Sequence, residues 1–394
     1  MQNKAQARRN GVDDACFHGG AFFEAIGERF EALGRHNAII NADVLDAWFP
    51  PAPGVLAAVS EHLEWFARTS PPTNCGGLRD AIADSRRLPV ESVLPAAGSS
   101  DLIYLALREW LDAKSRALIL DPCYGEYAHV LERVIGCRVD RFPLHRADGW
   151  APDLDALRAR LAAVPYDLFV LVNPNNPTGH HVPREGVERL LECVPERTRV
   201  WIDEAYLDYV APNESLEPVA AQRRNVVVCK SMSKVYALSG MRAAYLAGEP
   251  STIAPLRRIT PPWAVSLPAQ VAAVRALEDP AYYTKRWSET ATLRTRLRGM
   301  IERIPGVEEV SGAANFLMVH LDPCGPSAPE VIASCRDEDV YLRDLAPLSS
   351  RLGSHLLRTA VKNTSRNSAI ASALARAVGQ RQCARSYARG CQLA

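Results

Sequence analysis

The alternation of short apolar runs with helical periodicity between about residue 75 and residue 250 constrains the fold of this chain more than any other feature. Such alternation is typical of a doubly wound, largely parallel sheet with helices on both faces. The runs are short and rich in β-branched residues, as strands are. They predict strands at residues 117–120, 168–172, 199–203, 225–229 and 243–247.

Each predicted strand ends in a polar, Gly/Pro-rich or Ser-rich segment. In open α/β sheets, ligands bind outside the carboxyl ends of the strands. We therefore expect the chemistry of this chain to lie in these turns.

The length of the chain, 394 residues, suits a large domain plus a smaller one. A helix near residues 268–277 and a long amphipathic stretch at 282–304 precede two further predicted strands, at 316–321 and 356–361. We predict an α/β fold with a large domain at residues 45–275. Residues 1–44 and 276–394 would form a smaller α+β domain.

The composition is that of an ordinary soluble globular protein, with 47% apolar residues, 23% charged residues and a formal net charge of +1. We expect neither nucleic acid nor a membrane as a partner. The polar start, residues 1–14, has no hydrophobic signal region, so we expect a cytoplasmic protein. The ten cysteines are scattered without a C-x-x-C spacing, which favours free thiols and predicts no metal site.

A lysine-containing segment at residues 229–242, Cys-Lys-Ser-Met-Ser-Lys-Val-Tyr-Ala-Leu-Ser-Gly-Met-Arg, follows a predicted strand. A lysine that forms an imine must lose its proton near neutral pH, and burial and nearby cations lower its pKa. Lys230 and Arg242 are the local cations that would act on Lys234. Ser231, Ser233 and Arg242 have the donors to hold a phosphate. The alternative is a basic surface turn.

Three other strand ends and one helix start carry candidate ligand-binding residues. Asn176 lies in the proline turn Asn-Pro-Asn-Asn-Pro-Thr-Gly at residues 173–179. Asp203 ends an apolar strand, where burial is costly unless a cation such as a protonated ring nitrogen pairs with the carboxylate. A helix N-cap is the alternative for Asp203. Tyr124 follows a third strand, where its ring suits stacking on a flat heterocycle. A Gly-Ser-Ser turn at residues 98–100 starts a helix and offers N–H groups to a phosphate.

The order of these motifs resembles the class I/II aminotransferases, which are pyridoxal 5'-phosphate enzymes of fold type I. The motifs are Gly-Ser-Ser, Asp-Pro-x-Tyr-Gly-Glu-Tyr, Asn-Pro-Asn-Asn-Pro-Thr-Gly, Asp-Glu-Ala-Tyr and Ser-x-Ser-Lys-x-x-x-Leu-x-Gly-x-Arg. The sequence is most similar to the branch that holds histidinol-phosphate aminotransferase and the threonine-phosphate decarboxylases. The similarity is close over residues 75–250 and extends thinly to residue 375.

The resemblance implies a role for each matching residue. Lys234 would hold the cofactor as an internal aldimine and transfer the proton at the substrate α-carbon. Asp203 would pair with the pyridine nitrogen, so that the ring acts as an electron sink. Asn176 and Tyr206 would contact the phenolic oxygen, and Tyr124 would stack on the ring. The phosphate would be bound by the group Gly98, Ser99, Ser100, Ser231, Ser233 and Arg242.

Three residues near the C-terminus match positions that lie near the substrate in the family. Arg358 would grip the substrate carboxylate, which a guanidinium matches in a bidentate way. Arg343 stands where the phosphate-specific relatives carry a phosphate-binding arginine. Two interpretations remain open for Arg343: it binds a second anionic group, or it is a surface salt-bridge partner of Asp344 or a neighbour. Asn315 also matches a position near the substrate.

The sequence departs from the family pattern at its amino end. Histidinol-phosphate aminotransferases carry an Asn-Glu-Asn-Pro segment, and the equivalent residues 41–51 here read Asn-Ala-Asp-Val-Leu-Asp-Ala-Trp-Phe-Pro-Pro. These relatives also supply a tyrosine across the dimer interface to the cofactor phosphate. Residues 68–77 contain no tyrosine, and Ser70, Thr73 and Asn74 are the candidates to replace it. The segment that begins at His18 is either a lid over the cleft or a simple helix start.

The resemblance implies a homodimer with the active site at the subunit interface and transamination of an amino acid as the default reaction. The alternative is a non-transaminating enzyme of specialised metabolism, which would catalyse elimination, replacement, decarboxylation or cyclisation, including cyclisation of S-adenosylmethionine. A cofactor-binding regulator would need a DNA-binding module, for which we find no separate segment.

Overall fold

The computed structural model describes residues 18–27 and 29–390, with side chains up to residue 379. Its centre is a seven-stranded sheet in the spatial order β2-β8-β7-β6-β5-β3-β4. The strands are β2 (Val93–Ala96), β3 (Arg116–Asp121), β4 (Arg138–Pro143), β5 (Leu168–Val172), β6 (Arg199–Asp203), β7 (Val226–Ser231) and β8 (Ala244–Ala247).

Parallel pairing joins β4, β3, β5, β6 and β7, whereas β8 runs antiparallel to both β7 and β2. The prediction of a mostly parallel doubly wound sheet is therefore confirmed. Because β8 is reversed, its amino end lies at the edge where the parallel strands have their carboxyl ends. We call this edge the carboxyl edge, and the reversal brings Arg242, two residues before β8, to it.

The sequence predicts five of these seven strands to within two residues at each end and misses β2 and β4. Both lie at the borders of the sheet. The β2 strand has four residues and contains Pro95, and the β4 strand has no fully buried residue. Border strands are commonly short, polar or interrupted by proline, which hides the apolar pattern that a prediction needs.

Two smaller sheets are formed by strands from the early and late parts of the chain. Strands β9 (Val307–Ser311), β10 (Phe316–Leu321), β12 (Arg343–Asp344) and β13 (Leu356–Ala360) form an antiparallel sheet in the order β12-β13-β10-β9. Strand β1 (Ile40–Asn41) pairs in parallel with β11 (Val340–Tyr341). This pairing holds the early part of the chain beside the late part.

Helices cover the sheets. The helix α4 begins at Ser99, directly at the carboxyl edge, and the long helix α12 leads from the large sheet to the antiparallel one. The α-helices are α1 (Pro53–Glu61), α2 (Leu63–Arg68), α3 (Gly76–Arg86), α4 (Ser99–Trp110), α5 (Gly125–His129), α6 (Leu154–Ala163), α7 (Arg184–Glu192), α8 (Glu217–Ala220), α9 (Met232–Val235), α10 (Pro250–Ile259), α11 (Leu267–Leu277), α12 (Pro280–Ile301), α13 (Ala328–Arg336) and α14 (Thr364–Gly390).

The buried apolar residues form two main cores. One surrounds the seven-stranded sheet, and the other joins Ala42 and Leu45 to residues of α12, α13, α14 and the antiparallel sheet. The exact division into residues 45–275 against residues 1–44 and 276–394 stays a prediction. Within the described part of the chain, no helix has the length and apolar character that crossing a membrane requires.

Candidate active site

One pocket at the carboxyl edge brings together six of the residues that the sequence predicts for the site. They are Tyr124, Asn176, Tyr206, Lys234, Arg343 and Arg358. The pocket is also lined by His18 and Asp43, which come from the first part of the chain. Residues separated by more than 300 positions thus meet around Lys234.

Lys234 lies in the short helix α9, just after β7. Its Nζ lies 3.2 Å from the Oδ1 of Asp46. Burial lowers the pKa of Lys234, and although Asp46 raises it, Arg242 and Arg358 act in the same direction as burial. The net shift is downward, which favours the neutral amine that imine formation requires.

Two further lysines lie nearby and differ from Lys234 in their partners. Lys230 is buried, and its Nζ contacts Glu204 at 3.3 Å and Asp208 at 3.0 Å. Burial lowers the pKa of Lys230, but the two carboxylates outweigh burial, so the net shift is upward. The sequence predicts that Lys230 and Arg242 lower the pKa of Lys234, but the two cations that lower it are Arg242 and Arg358. Lys362 donates to the main-chain oxygen of Asp46, and burial lowers its pKa to about 8.

Asp203 ends β6 and is buried at the carboxyl edge. Its Oδ2 accepts the hydroxyl proton of Tyr127 at 2.6 Å, and its Oδ1 accepts the N–H of Ala205 at 3.0 Å. Trp201 in turn donates to the Tyr127 hydroxyl at 2.7 Å, which fixes the tyrosine. Burial raises the pKa of Asp203 because both of these donors are neutral. A cationic ligand nitrogen would stabilise the ionised carboxylate here.

Gly98 and Arg242 lie together and form a cradle at the start of α4. Gly98 has a φ of +98°, and a Cβ atom built there would overlap the Arg242 guanidinium, so only glycine fits. The Nη1 of Arg242 lies 3.4 Å from the Oγ of Ser233. The guanidinium therefore lies beside Gly98, directly before Ser99, where the free N–H groups of α4 favour an anion.

Tyr124, Glu126 and His18 form a hydrogen-bonded group at one side of the pocket. The Tyr124 hydroxyl donates to Glu126 at 2.7 Å and lies 3.0 Å from the Nε2 of His18. Ser100 also donates to Glu126, at 3.0 Å. Burial raises the pKa of Glu126, but hydrogen bonds from His18, Tyr124 and Ser100 outweigh it and hold the pKa below its ordinary value. The segment at His18 thus reaches the pocket, and a 3₁₀ helix follows it at Ala21–Ala25.

Arg358 is buried between Asn176 and the chain at Asp43. It donates to the Asn176 Oδ1 at 2.6 Å and to the main-chain oxygen of Asp43 at 2.9 Å. Burial lowers the pKa of Arg358 to about 10. Tyr206 hydrogen-bonds with Asn176, and burial raises the pKa of the Tyr206 hydroxyl.

Arg343 is a buried residue in the wall of the pocket. Its side chain is 9% exposed, and its Nη1 lies 3.5 Å from the Oδ1 of Asp43. Arg343 is thus a buried residue that faces the Asp43 carboxylate, rather than a surface residue paired with Asp344, and its binding of a second anion stays a prediction. We call His18, Asp43, Asp46, Arg343 and Arg358 the mouth of the pocket.

Some predicted residues lie behind the pocket rather than in it. The Nδ2 of Asn315 donates to the main-chain oxygen of Leu45 at 2.9 Å, so Asn315 supports the mouth from behind. The hydroxyl of Ser231 caps α9 by accepting the N–H of Ser233 at 3.4 Å. The segment at residues 68–77 packs on α11, where Gln270 donates to the main-chain oxygen of Pro72.

Sequence reasoning does not single out Asp43, Asp46, Glu126, Tyr127 or Lys362. A signal was present for four of them. Asp43 and Asp46 are the only charged residues in the segment 41–51 that departs from the family pattern, and Glu126 and Tyr127 belong to the tyrosine motif itself. Lys362 has no such signal, because only the fold places β13 beside Asp46.

Comparison with known proteins identifies the family of the chain. The family model "Aminotransferase class I and II" matches residues 64–374. The histidinol-phosphate aminotransferase of Moorella thermoacetica is 32% identical over 275 residues, which are 69% of each chain.

Solved structures share the fold. The histidinol-phosphate aminotransferase of Sinorhizobium meliloti, solved with pyridoxal 5'-phosphate, superposes with a TM-score of 0.79 at 23% identity and covers 93% of this chain and 99% of its own. The L-threonine-O-3-phosphate decarboxylase of Porphyromonas gingivalis gives 0.72 at 22% identity, over 85% of this chain and 98% of its own. The resemblance inferred from the motifs is confirmed, and the chain belongs to the class I and II aminotransferase family.

Proposed function

We propose that this enzyme transfers the amino group of an amino acid, with pyridoxal 5'-phosphate as its cofactor. The observation that carries the proposal is the pairing of Lys234, whose pKa is lowered, with Arg358 in one pocket. A reactive amine and a carboxylate-binding guanidinium are the two groups that an amino acid substrate requires.

The residues at the carboxyl edge fit the cofactor. The buried carboxylate of Asp203 accepts hydrogen bonds from two neutral donors, the Tyr127 hydroxyl and the Ala205 N–H. Such a carboxylate suits a protonated ring nitrogen. The cradle of Gly98, Arg242 and the start of α4 suits the phosphate. Tyr206 and Asn176 lie together and suit the phenolic oxygen. When bound, the cofactor supplies an electron-accepting ring that stabilises negative charge at the substrate α-carbon.

The chain itself supplies binding and proton transfer. Arg358 holds the substrate carboxylate, since its described partners are neutral oxygens and its charge is not yet balanced. Lys234 is the base that moves the proton of the substrate α-carbon. Asp46 holds the Lys234 amine from the side of the mouth. Tyr124, fixed by its hydrogen bond to Glu126, would stack on the cofactor ring.

We also propose a cytoplasmic homodimer with the active site near the subunit interface. Large apolar side chains remain exposed on α1 with α2, and on the end of α10 with the loop that follows it. They are Leu56, Leu63, Trp65, Ile259 and Trp263. Helix α11 packs against α1 and α2, and the segment 68–77 lies beside it. Exposed apolar surface of this kind favours a protein partner, and a second copy is the partner that the family implies. Light scattering after size-exclusion chromatography tests the homodimer. A measured mass equal to that of a single chain at micromolar concentration would contradict it.

The experiment that tests the reaction is a half-reaction. The enzyme is loaded with cofactor and mixed with single amino acids, and the bound cofactor is then extracted and identified. Conversion to pyridoxamine 5'-phosphate with at least one amino acid is expected. Release of CO2 or of a side-chain fragment, with the cofactor unchanged, would contradict transamination and favour the non-transaminating alternative.

A further inference from the structure

The two arginines of the mouth differ in how their charges are balanced. In the described part of the chain, Arg358 donates its hydrogen bonds to neutral oxygens, those of Asn176 and of the Asp43 main chain, and its guanidinium lies over the Phe316 ring. Arg343 instead faces the Asp43 carboxylate, with 3.5 Å between Nη1 and Oδ1. Asp43 lies between the two, binding Arg358 through its backbone and Arg343 through its side chain. One guanidinium is left for a substrate anion and the other already has a carboxylate partner.

Asp43 is held in this position by the chain near the amino end. The main-chain N–H of Gly20 donates to the Asp43 Oδ2 at 2.7 Å. Gly19 packs so closely that a Cβ atom there would lie 2.8 Å from Oδ1 and 2.9 Å from Oδ2. Only 2% of Asp43 is exposed, so the carboxylate has no path to turn into solvent. It is a fixed part of the pocket wall.

A fixed buried carboxylate decides which substrates suit this end of the pocket. A phosphate carries about −1.5 to −2 charges at pH 7. A phosphate placed near Arg343 would also lie near the Asp43 carboxylate and be repelled by it. If the phosphate took Arg343 as its own partner, the buried Asp43 carboxylate would lose its cation, which is strongly unfavourable. The relatives compared above are named for phosphorylated substrates, but here the positive charge that such a group needs is already balanced.

We propose that Asp43 is a specificity-determining residue that neutralises Arg343, so that the site takes amino acids whose side chains carry no phosphate. The proposal rests on the proposed function, since it assumes that an amino acid occupies the pocket with its carboxylate at Arg358. It replaces the prediction that Arg343 binds a second anion.

Binding of two matched conjugates tests the proposal without turnover. The probes are N-(5'-phosphopyridoxyl)-L-serine and N-(5'-phosphopyridoxyl)-O-phospho-L-serine, which differ only in the side-chain phosphate. The full-length chain is freed of cofactor and titrated with each, and the pyridoxyl fluorescence is followed. The wild-type protein should bind the serine conjugate at least about tenfold more tightly, the affinity ratio that like-charge repulsion of about 1.4 kcal/mol produces.

Variants locate the effect. Asp43→Asn should strengthen binding of the phosphoserine conjugate and so lower the ratio of the two affinities at least tenfold. In the double variant Asp43→Asn with Arg343→Gln, this stronger binding of the phosphoserine conjugate should be lost. Asp344→Asn is the matched control, because Asp344 is the acidic neighbour of Arg343 and its carboxylate accepts the N–H of Ala346. This control should leave the ratio unchanged. If Asp43→Asn does not fold, Gly19→Ala, which must displace the Asp43 carboxylate, replaces it.

The outcomes separate the two proposals. Equal or tighter wild-type binding of the phosphoserine conjugate overturns the specificity proposal, as does an unchanged ratio in Asp43→Asn. Neither result bears on transamination, which the half-reaction measures. Failure of both conjugates to bind would contradict the cofactor site itself and with it the proposed function.

Discussion

The carboxyl edge of the large sheet and the mouth of the pocket are built in different ways. At the carboxyl edge, each key side chain follows or ends a strand within a short motif, as Asp203 does at the end of β6 and Lys234 does after β7. At the mouth, the contacts join distant parts of the chain, such as Asp43 with Arg343 and Asp46 with Lys234. The cofactor chemistry is thus encoded locally, whereas the choice of substrate depends on long-range pairs.

The largest expected effect separates two lysines of the same motif. Lys234→Ala should lower activity by about 10³-fold or more, because it removes the group that moves the substrate proton. Lys230→Met should instead lower the free energy of unfolding by about 3–5 kcal/mol, because it leaves the buried Glu204 without its cation and leaves Asp208 with Arg86 alone. Steady-state rates and urea unfolding of both variants measure the difference. Equal activity losses in two equally stable variants would contradict these assignments.

A smaller effect is expected at Asp203. Asp203→Asn should keep the buried geometry and bind the cofactor but lower activity about 10²-fold, since the amide does not stabilise a protonated ring nitrogen. The matched control is Asp208→Asn, which removes a buried carboxylate that serves Lys230 and Arg86 instead. Cofactor absorbance and turnover are measured together. Full activity in Asp203→Asn would contradict the assigned role of the Asp203 carboxylate, which is to stabilise the protonated ring nitrogen of the cofactor.

The mouth acts on the carboxyl edge through Asp46. The Asp46 carboxylate raises the pKa of Lys234, against the downward effect of burial. Asp46→Asn should therefore lower that pKa further, so that the neutral amine persists to lower pH. The rate at which added cofactor attaches to the cofactor-free chain, followed against pH, should keep its high-pH value at lower pH than in the wild type. A shift of the profile to higher pH would contradict this sign.

The smallest effect is expected at His18. His18→Gln removes the imidazole that contacts Tyr124, a partly exposed contact for which about 0.5–1.5 kcal/mol is typical. We expect KM for the amino acid to rise about threefold to tenfold with little change in kcat. His36→Gln, at an exposed histidine of the same region, is the control. A large loss of kcat in His18→Gln would instead give the mouth a direct part in the chemistry.

The sequence predicts the carboxyl edge well and the mouth poorly, for a physical reason. Strand periodicity and the motif order lead to Asp203, Tyr206 and Lys234, because each lies where its own strand ends. No local pattern indicates that Asp43 faces Arg343, since that contact depends on how β1, β11 and β12 come together. The border strand β2 is missed for a different reason, because it has only four residues and Pro95 interrupts it.

The central claim, that Lys234 carries the cofactor, is tested most directly by covalent labelling. The enzyme loaded with pyridoxal 5'-phosphate is reduced with borohydride and digested, and the modified peptide is identified by mass spectrometry. The account predicts a phosphopyridoxyl group on Lys234 alone. Stoichiometric label on Lys230 or on Lys362, with Lys234 unmodified, would contradict it.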